Sequence, residues 1–148
     1  MYKHILIPTD GSDVAEKGVA AGIEFAHDTG AKATFFTAVP EYEPPGEGEV
    51  LSRSKVISLA DHERASETLA KSILAHAVHA ARAAGLVFGT DYAQANQPWQ
   101  AIVEAAKRHG CDAIFMGSHG RKGLSRLFHG GQAIDVLTHS DIPTLVVR

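Results

Sequence analysis

The chain holds one cysteine, Cys111, in 148 residues. An internal disulfide is therefore excluded, and the composition suits a reducing compartment. With no CxxC and no evident partner base, Cys111 reads as a passive thiol ahead of a strand. A basic surplus is also missing. Lys+Arg number 14 against 17 Asp+Glu, giving a formal charge of −3 and a pI near 6.3. That argues against a nucleic-acid partner, whose binders usually carry a basic surplus. Long apolar runs are absent too. Nothing approaches the roughly 18 consecutive apolar residues of a membrane span, and Ile5-Leu6-Ile7 is far short of a signal-peptide core. A cytoplasmic protein with no membrane partner is expected. The common phosphate signatures are missing as well: there is no Gly-x4-Gly-Lys-Ser/Thr, and no Gly-x-Gly-x-x-Gly follows the first strand. No Ser-His-Asp or paired-carboxylate pattern stands out. His76 and His79 share a helix face but lack an evident third metal ligand, so they read as a surface pair.

What is present is an ordinary globular composition, 45% hydrophobic, of a length suited to one domain spanning residues 1–148. Ile5 to Pro8 is a short continuous apolar strand of the kind buried on both faces of a parallel sheet. Asp13 and Glu16 have capping-box spacing and start a helix. Val19, Ile23 and Ala26 form its apolar face, and Gly30 fits its C-terminal cap. Ala33 to Val39 reads as a second strand. Pro40 to Val50, with three prolines, two glycines and four glutamates, reads as a solvated loop or, since it leaves a core strand, a lid. Arg53 to Ala84 is a long alanine-rich helical stretch whose inner side is Ile57, Leu69, Ile73 and Ala80. Val87 to Ala93 is a third strand weakened by Gly89 and Asp91. Pro98 opens another helix, with Ile102, Val103 and Ala106 inward. Trp99 beside it reads as packing. Ala113 to Met116, Gln132 to His139 and Thr144 to Val147 complete a strand, a helix and a last strand. This alternation predicts a doubly wound parallel α/β domain.

The most telling stretch follows the fourth strand. Met116-Gly117-Ser118-His119-Gly120 leads into a basic loop with Arg121, Lys122, Arg126 and His129, and the loop closes at Gly130 and Gly131 before the last helix. The pattern is Gly-x2-Gly-x9-Gly. Glycines let a backbone approach a ligand and turn its N–H groups toward it, and the helix start adds partial positive charge. A phosphate cradle and a plain glycine-rich connection both fit.

Three segments together resemble the universal stress protein family along essentially the whole chain. They are Lys3-His4-Ile5-Leu6-Ile7-Pro8-Thr9-Asp10-Gly11-Ser12, Asp112-Ala113-Ile114-Phe115-Met116-Gly117-Ser118-His119-Gly120, and Pro143-Thr144-Leu145-Val146-Val147-Arg148. The resemblance implies a five-stranded parallel sheet of order 3-2-1-4-5, adenine-nucleotide α-hydrolase-like, with its switch point between strands one and four. It implies bound ATP or another adenine nucleotide, with Mg²⁺ carried on the phosphates. Pro8 and Thr9 would flank the base, Asp10 contact its end of the nucleotide, and the Val39 backbone read the adenine edge. The phosphates would lie on Gly117 to Gly131, including Ser118, Gly120 and Gly130, with His119 on ribose or phosphate, and Met116, Gln132 and Ala133 would complete the nucleotide site. The resemblance further implies a homodimer through Thr144 to Val147 and a stress-response role rather than turnover.

One departure bears on affinity. Nucleotide-binding members carry Ser, Thr or Asn where this chain has Gly131, and a hydroxyl can also reach phosphate where it has Ala133. Each hydrogen bond to a charged group is worth roughly 1.5–3 kcal/mol, so losing both weakens triphosphate binding by about two to four orders of magnitude. Gln132 offers an amide in compensation. The alternative reading is a dimeric interaction module that binds no nucleotide.

Overall fold

The structure, a computed structural model, describes residues 1–46, 58–118 and 131–148. Five strands, β1 (His4–Pro8), β2 (Lys32–Val39), β3 (Phe88–Gln94), β4 (Ala113–Gly117) and β5 (Thr144–Val147), alternate with four helices, α1 (Asp13–Thr29), α2 (Leu59–Ala83), α3 (Pro98–Arg108) and α4 (Gln132–His139). All strand pairs are parallel and the order is β3-β2-β1-β4-β5, as the resemblance implied.

Side chains on a strand alternate between faces, and the sheet here divides two cores. Ile5, Ile7, Ala33, Phe35 and Phe115 pack with Val19 of α1 and Leu74 and Ala77 of α2. Leu6, Phe36, Ile114 and Met116 pack with Ile102 and Ala106 of α3 and Val136 of α4. The central strands are apolar on both sides because helices cover both faces.

Two local expectations are corrected, the cap of α1 and the inner face of α2. Ser12, not Asp13, caps α1: its Oγ accepts from the Ala15 N–H at 3.2 Å. The described part of α2 begins after Ser58, whose Oγ accepts from the Asp61 N–H at 3.1 Å. The inner face of α2 is Ser66, Ala70, Leu74, Ala77 and Ala81, whereas Leu69 is 42% exposed. Ile73 and Ala80 are only partly buried. In an alanine-rich helix apolar residues fall on every side, so sequence contrast is weak. The small side chains face in because they let the helix lie close to the sheet. Ile57 and the helix start at Arg53 lie outside the described residues.

The third strand forms in full despite Gly89 and Asp91, pairing with β2 from Phe88 to Gln94. Residues 40–46 are neither helix nor strand. They are tied down at their start: the Glu41 N–H donates to Asn96 Oδ1, and the Pro40 carbonyl meets His62 Nε2. The lid expectation for Pro40 to Val50 concerns residues that lie partly outside the described ones.

Candidate functional site

Pairing between β1 and β4 stops before their carboxyl ends, and Pro8 explains why. Peptide groups along a parallel strand point alternately to its two neighbours. Lys3 and Thr9 turn theirs to β2, through Lys32 N–H to Lys3 O and Thr9 N–H to Phe36 O at 2.8 Å. His4 turns its own to β4, accepting from the Asp112 N–H. By this alternation the nitrogen of Pro8 lies on the β4 side, where it has no hydrogen to donate. Pairing of β1 with β4 accordingly covers only Ile5 and Leu6, while pairing with β2 continues to Pro8. The two strands part at their carboxyl ends, at the switch point where doubly wound sheets take ligands.

On the β1 lip, Asp10 is half-buried and accepts the Ser12 N–H on Oδ1 at 3.0 Å. This turn holds the carboxylate at the strand end. Thr9 is fully buried and points to the α1 side. Its Oγ1 accepts from the Gly11 N–H at 3.1 Å and donates to Glu16 Oε1 at 3.5 Å. Glu16 Oε2 in turn meets His76 Nδ1. His76 thus pairs across helices rather than with His79.

The expectation for Val39 changes by one residue. Its side chain is buried, as expected, but its carbonyl accepts from the Ala95 N–H at 2.8 Å, so its peptide groups face β3. Phe36 faces β1, and by alternation Ala38 does too. Ala38 therefore directs its N–H and C=O into the space beyond the end of β1.

On the β4 lip, Met116 is fully buried in the α3–α4 core. Gly117 and Gly18 are mutually required. A Cβ on Gly117 would lie 2.1 Å from the Val14 carbonyl oxygen, and a Cβ on Gly18 would lie 2.4 Å from Gly117 N. The first turns of α1 therefore rest directly on the end of β4. Packing alone accounts for glycine at 117, whatever it does for a ligand. The Gly18-x3-Gly22 spacing in α1 was the available clue, because glycine inside a helix is costly without a packing reason. Ser118 donates its N–H to the Val147 carbonyl at 2.7 Å, facing β5.

Gly131 sits at the N-cap of α4 with φ 125°, a conformation L side chains rarely adopt. A serine could not take that backbone without strain, so the missing hydroxyl belongs to a different local geometry. Ala133 is buried in the α3–α4 core. Gln132 turns Oε1 to the Trp99 N–H at 2.9 Å, which leaves only its Nε2 hydrogens to offer a phosphate. The first turn of α4 still carries backbone N–H groups without intrahelical acceptors. His119, Gly120, Gly130 and the basic residues Arg121, Lys122, Arg126 and His129 lie outside the described residues.

The opposite end of the sheet is closed. Asp112 accepts the N–H groups of Lys3 and His4, at 2.8 and 3.1 Å. Burial would raise this carboxyl, but those two bonds outweigh it and hold it below the usual carboxylate range. Asp91 shows the same balance: burial raises it, and bonds from Arg108 (2.6 Å) and His109 (2.8 Å) bring it down. His4, bonded to Thr34 Oγ1 at 2.7 Å, is held below the ordinary histidine value, first by burial and then by the nearby Lys32 and His109. Burial and the Asp112 charge push the Cys111 thiol up to about 11. Among the described residues, no three His, Cys, Asp or Glu side chains gather to hold a metal, and no helix is long and apolar enough to cross a membrane.

The whole chain, residues 1–148, matches the universal stress protein family, and it belongs to that family. It is similar to universal stress protein MJ0531 of Methanocaldococcus jannaschii, 32% identical over 151 residues covering 100% of this chain and 83% of that protein. The fold superposes on universal stress protein UspA from Lactobacillus plantarum with a TM-score of 0.74 at 24% identity, covering 99% of this chain and 98% of that one. A universal stress protein solved in complex with cAMP superposes with a TM-score of 0.69 at 25% identity, covering 99% and 97%.

Proposed function

We propose that this chain binds ATP or another adenine nucleotide across the β1–β4 crevice and serves a stress response as a binding protein. The observation that carries the reading is the end of β1–β4 pairing at Pro8, with Asp10 on one lip and the first-turn amides of α4 on the other. The cAMP complex of a relative with the same fold supports an adenine ligand.

In this reading the base enters beyond Pro8 and Thr9. The Ala38 N–H and C=O, rather than those of Val39, meet its hydrogen-bonding edge, and Asp10 accepts from the base or ribose. The phosphates run toward Gly117, Ser118 and the Gly131–Gln132–Ala133 amides, with His119, Gly120 and Gly130 completing the loop. Any Mg²⁺ rides on the phosphates, where it needs few protein ligands. Asp10 stands just past the end of β1, Asp13 lies in the first turn of α1, and Glu16 meets the Thr9 hydroxyl. With Asp13 in that turn and Glu16 engaged with Thr9 and His76, binding rather than turnover is favoured.

The same reading includes a cytoplasmic homodimer through β5. This strand is a sheet edge, and Leu145 is 47% exposed. Beside it Tyr2, Phe25, Ala113, Phe115, Pro143 and Leu145 line an open apolar cavity of about 250 Å³. An unpaired edge beside an apolar groove favours a second copy.

Calorimetric titration with Mg-ATP and with Mg-GTP tests the nucleotide claim. Saturable one-site binding of ATP, with GTP weaker, is expected. Absence of heat and of thermal shift with either would leave the dimeric interaction module as the better account.

A further inference from the structure

Helix α4 is short, and nothing within it fixes its N-terminus. Its N-cap is Gly131, which has no side chain to cap with, and its first intrahelical bond is Asp135 N–H to Gly131 O. The described tether at this end is the bond from Trp99 N–H to Gln132 Oε1, between residues 33 apart in sequence. Trp99 also holds the other end of α4. Its indole stacks on His139, in the last turn, with ring centroids 4.4 Å apart and planes inclined 26°. The indole is oriented in turn by its Nε1–H, which donates to Gln97 Oε1 at 3.1 Å. Trp99 belongs to a fixed element: it packs against the α3–α4 core, and Pro98 beside it is buried. One residue of α3 therefore holds both ends of α4, with its backbone at one end and its ring at the other.

We propose that Gln132 is a positioning residue. By holding the Trp99 N–H it sets where the first-turn amides of α4 point, and so tunes how well the crevice grips phosphate. The inference rests on the nucleotide reading above. A helix terminus stabilises an anion only when its N–H groups are aimed at it. Here that aim depends on a side-chain bond to another helix. The bond also satisfies a first-turn donor of α3, whose own N-cap Gln97 makes no side-chain cap.

The test compares wild type, Gln132→Met and Gln132→Glu. Methionine keeps the length and removes the acceptor; glutamate keeps the acceptor. Calorimetry measures ATP and adenosine for each, and hydrogen exchange follows the Trp99 amide. A neutral hydrogen bond is worth roughly 0.5–1.5 kcal/mol, so Gln132→Met should weaken ATP about two- to tenfold while adenosine changes less than about twofold. The Trp99 amide should exchange faster in Gln132→Met and stay protected in Gln132→Glu. A purely structural role would weaken both ligands alike, and that result overturns the proposal, as does unchanged ATP affinity in Gln132→Met. Failure of the wild type to bind ATP at all overturns the nucleotide reading and this inference together. Normal wild-type binding without the selective loss overturns this inference alone.

Discussion

The two ends of the sheet use polar groups in opposite ways. At the amino end, side chains and backbone close on each other: Asp112 covers two amides of β1 and His4 joins Thr34, while in the middle of the edge strand β3 Asp91 joins Arg108 and His109. At the carboxyl end, Pro8 interrupts a ladder, Ala38 points its peptide groups past the end of β1, and α4 begins without a side-chain cap. A closed polar network rigidifies; exposed donors and acceptors in a crevice invite a ligand. Among the described residues, the contrast teaches that ion pairs and buried charges mark the supports of the fold rather than the proposed nucleotide site. The electrostatically perturbed ones among them stand away from the β1–β4 switch point: His4, Cys111 and Asp112 at the amino end, and Asp91 in the middle of β3.

The largest expected effect breaks the support beneath the carboxyl end. Gly18→Ala would gain up to about 1 kcal/mol of helix propensity. The new methyl would meet the backbone of Gly117 at 2.4 Å, and overpacking of this kind costs about 1–3 kcal/mol. Because the obstacle is backbone, the clash should win. Urea unfolding should show net destabilisation, and the variant should bind ATP more weakly as α1 shifts from β4.

Next in size is the lip itself. Asp10→Ala should lower ATP affinity roughly tenfold or more, the loss of a hydrogen bond to a charged group. Asp10→Asn keeps an acceptor for the Ser12 N–H and should leave the melting temperature nearly unchanged. Calorimetry and thermal melts on the pair separate ligand contact from turn formation.

The amino end and β3 should respond to pH. His4 is held below its ordinary 6.5, so its neutral form is favoured in the fold, and the stability it adds is present above that value and lost as pH falls below it. Asp91 is held below 3.8, so its contribution persists above 3.8 and is lost only at lower pH. Urea unfolding from pH 7 to 3 should show two zones of decline. His4→Gln should flatten the upper zone, and Asp91→Asn the lower.

The smallest effect concerns Cys111. A thiol pushed up to about 11 and 6% exposed should be alkylated by iodoacetamide at pH 8 far more slowly in native than in urea-unfolded protein. Equal rates would show that the amino end is open.

Much of this was legible in the sequence, for identifiable reasons. Short apolar runs such as Ile5 to Pro8 mark buried parallel strands, and Pro98 and Gly30 mark helix ends, because each signal is local. The face of α2 was not legible, since alanines surround that helix and only packing selects Ala70, Leu74 and Ala77. The strand at Asp91 looked weak because its partners, Arg108 and His109, arrive from a distant helix end. Within the site, Asp10 and Gly117 lie at the ends of β1 and β4, as their positions suggested. The shift from Val39 to Ala38 depends on which way a peptide group faces, and that is fixed by register with β1 and β3. The bond from the Trp99 N–H to Gln132 Oε1, which leaves only Nε2 for a phosphate, has no trace in sequence.

The most direct test is an ATP titration followed by amide chemical shifts in isotopically labelled protein. The account predicts saturable shifts at Asp10, Gly11, Ala38, Gly117, Gln132 and Ala133, with Lys3, His4, Asp91 and Asp112 unmoved. Shifts confined to the amino end, or none at saturating ATP, would contradict it.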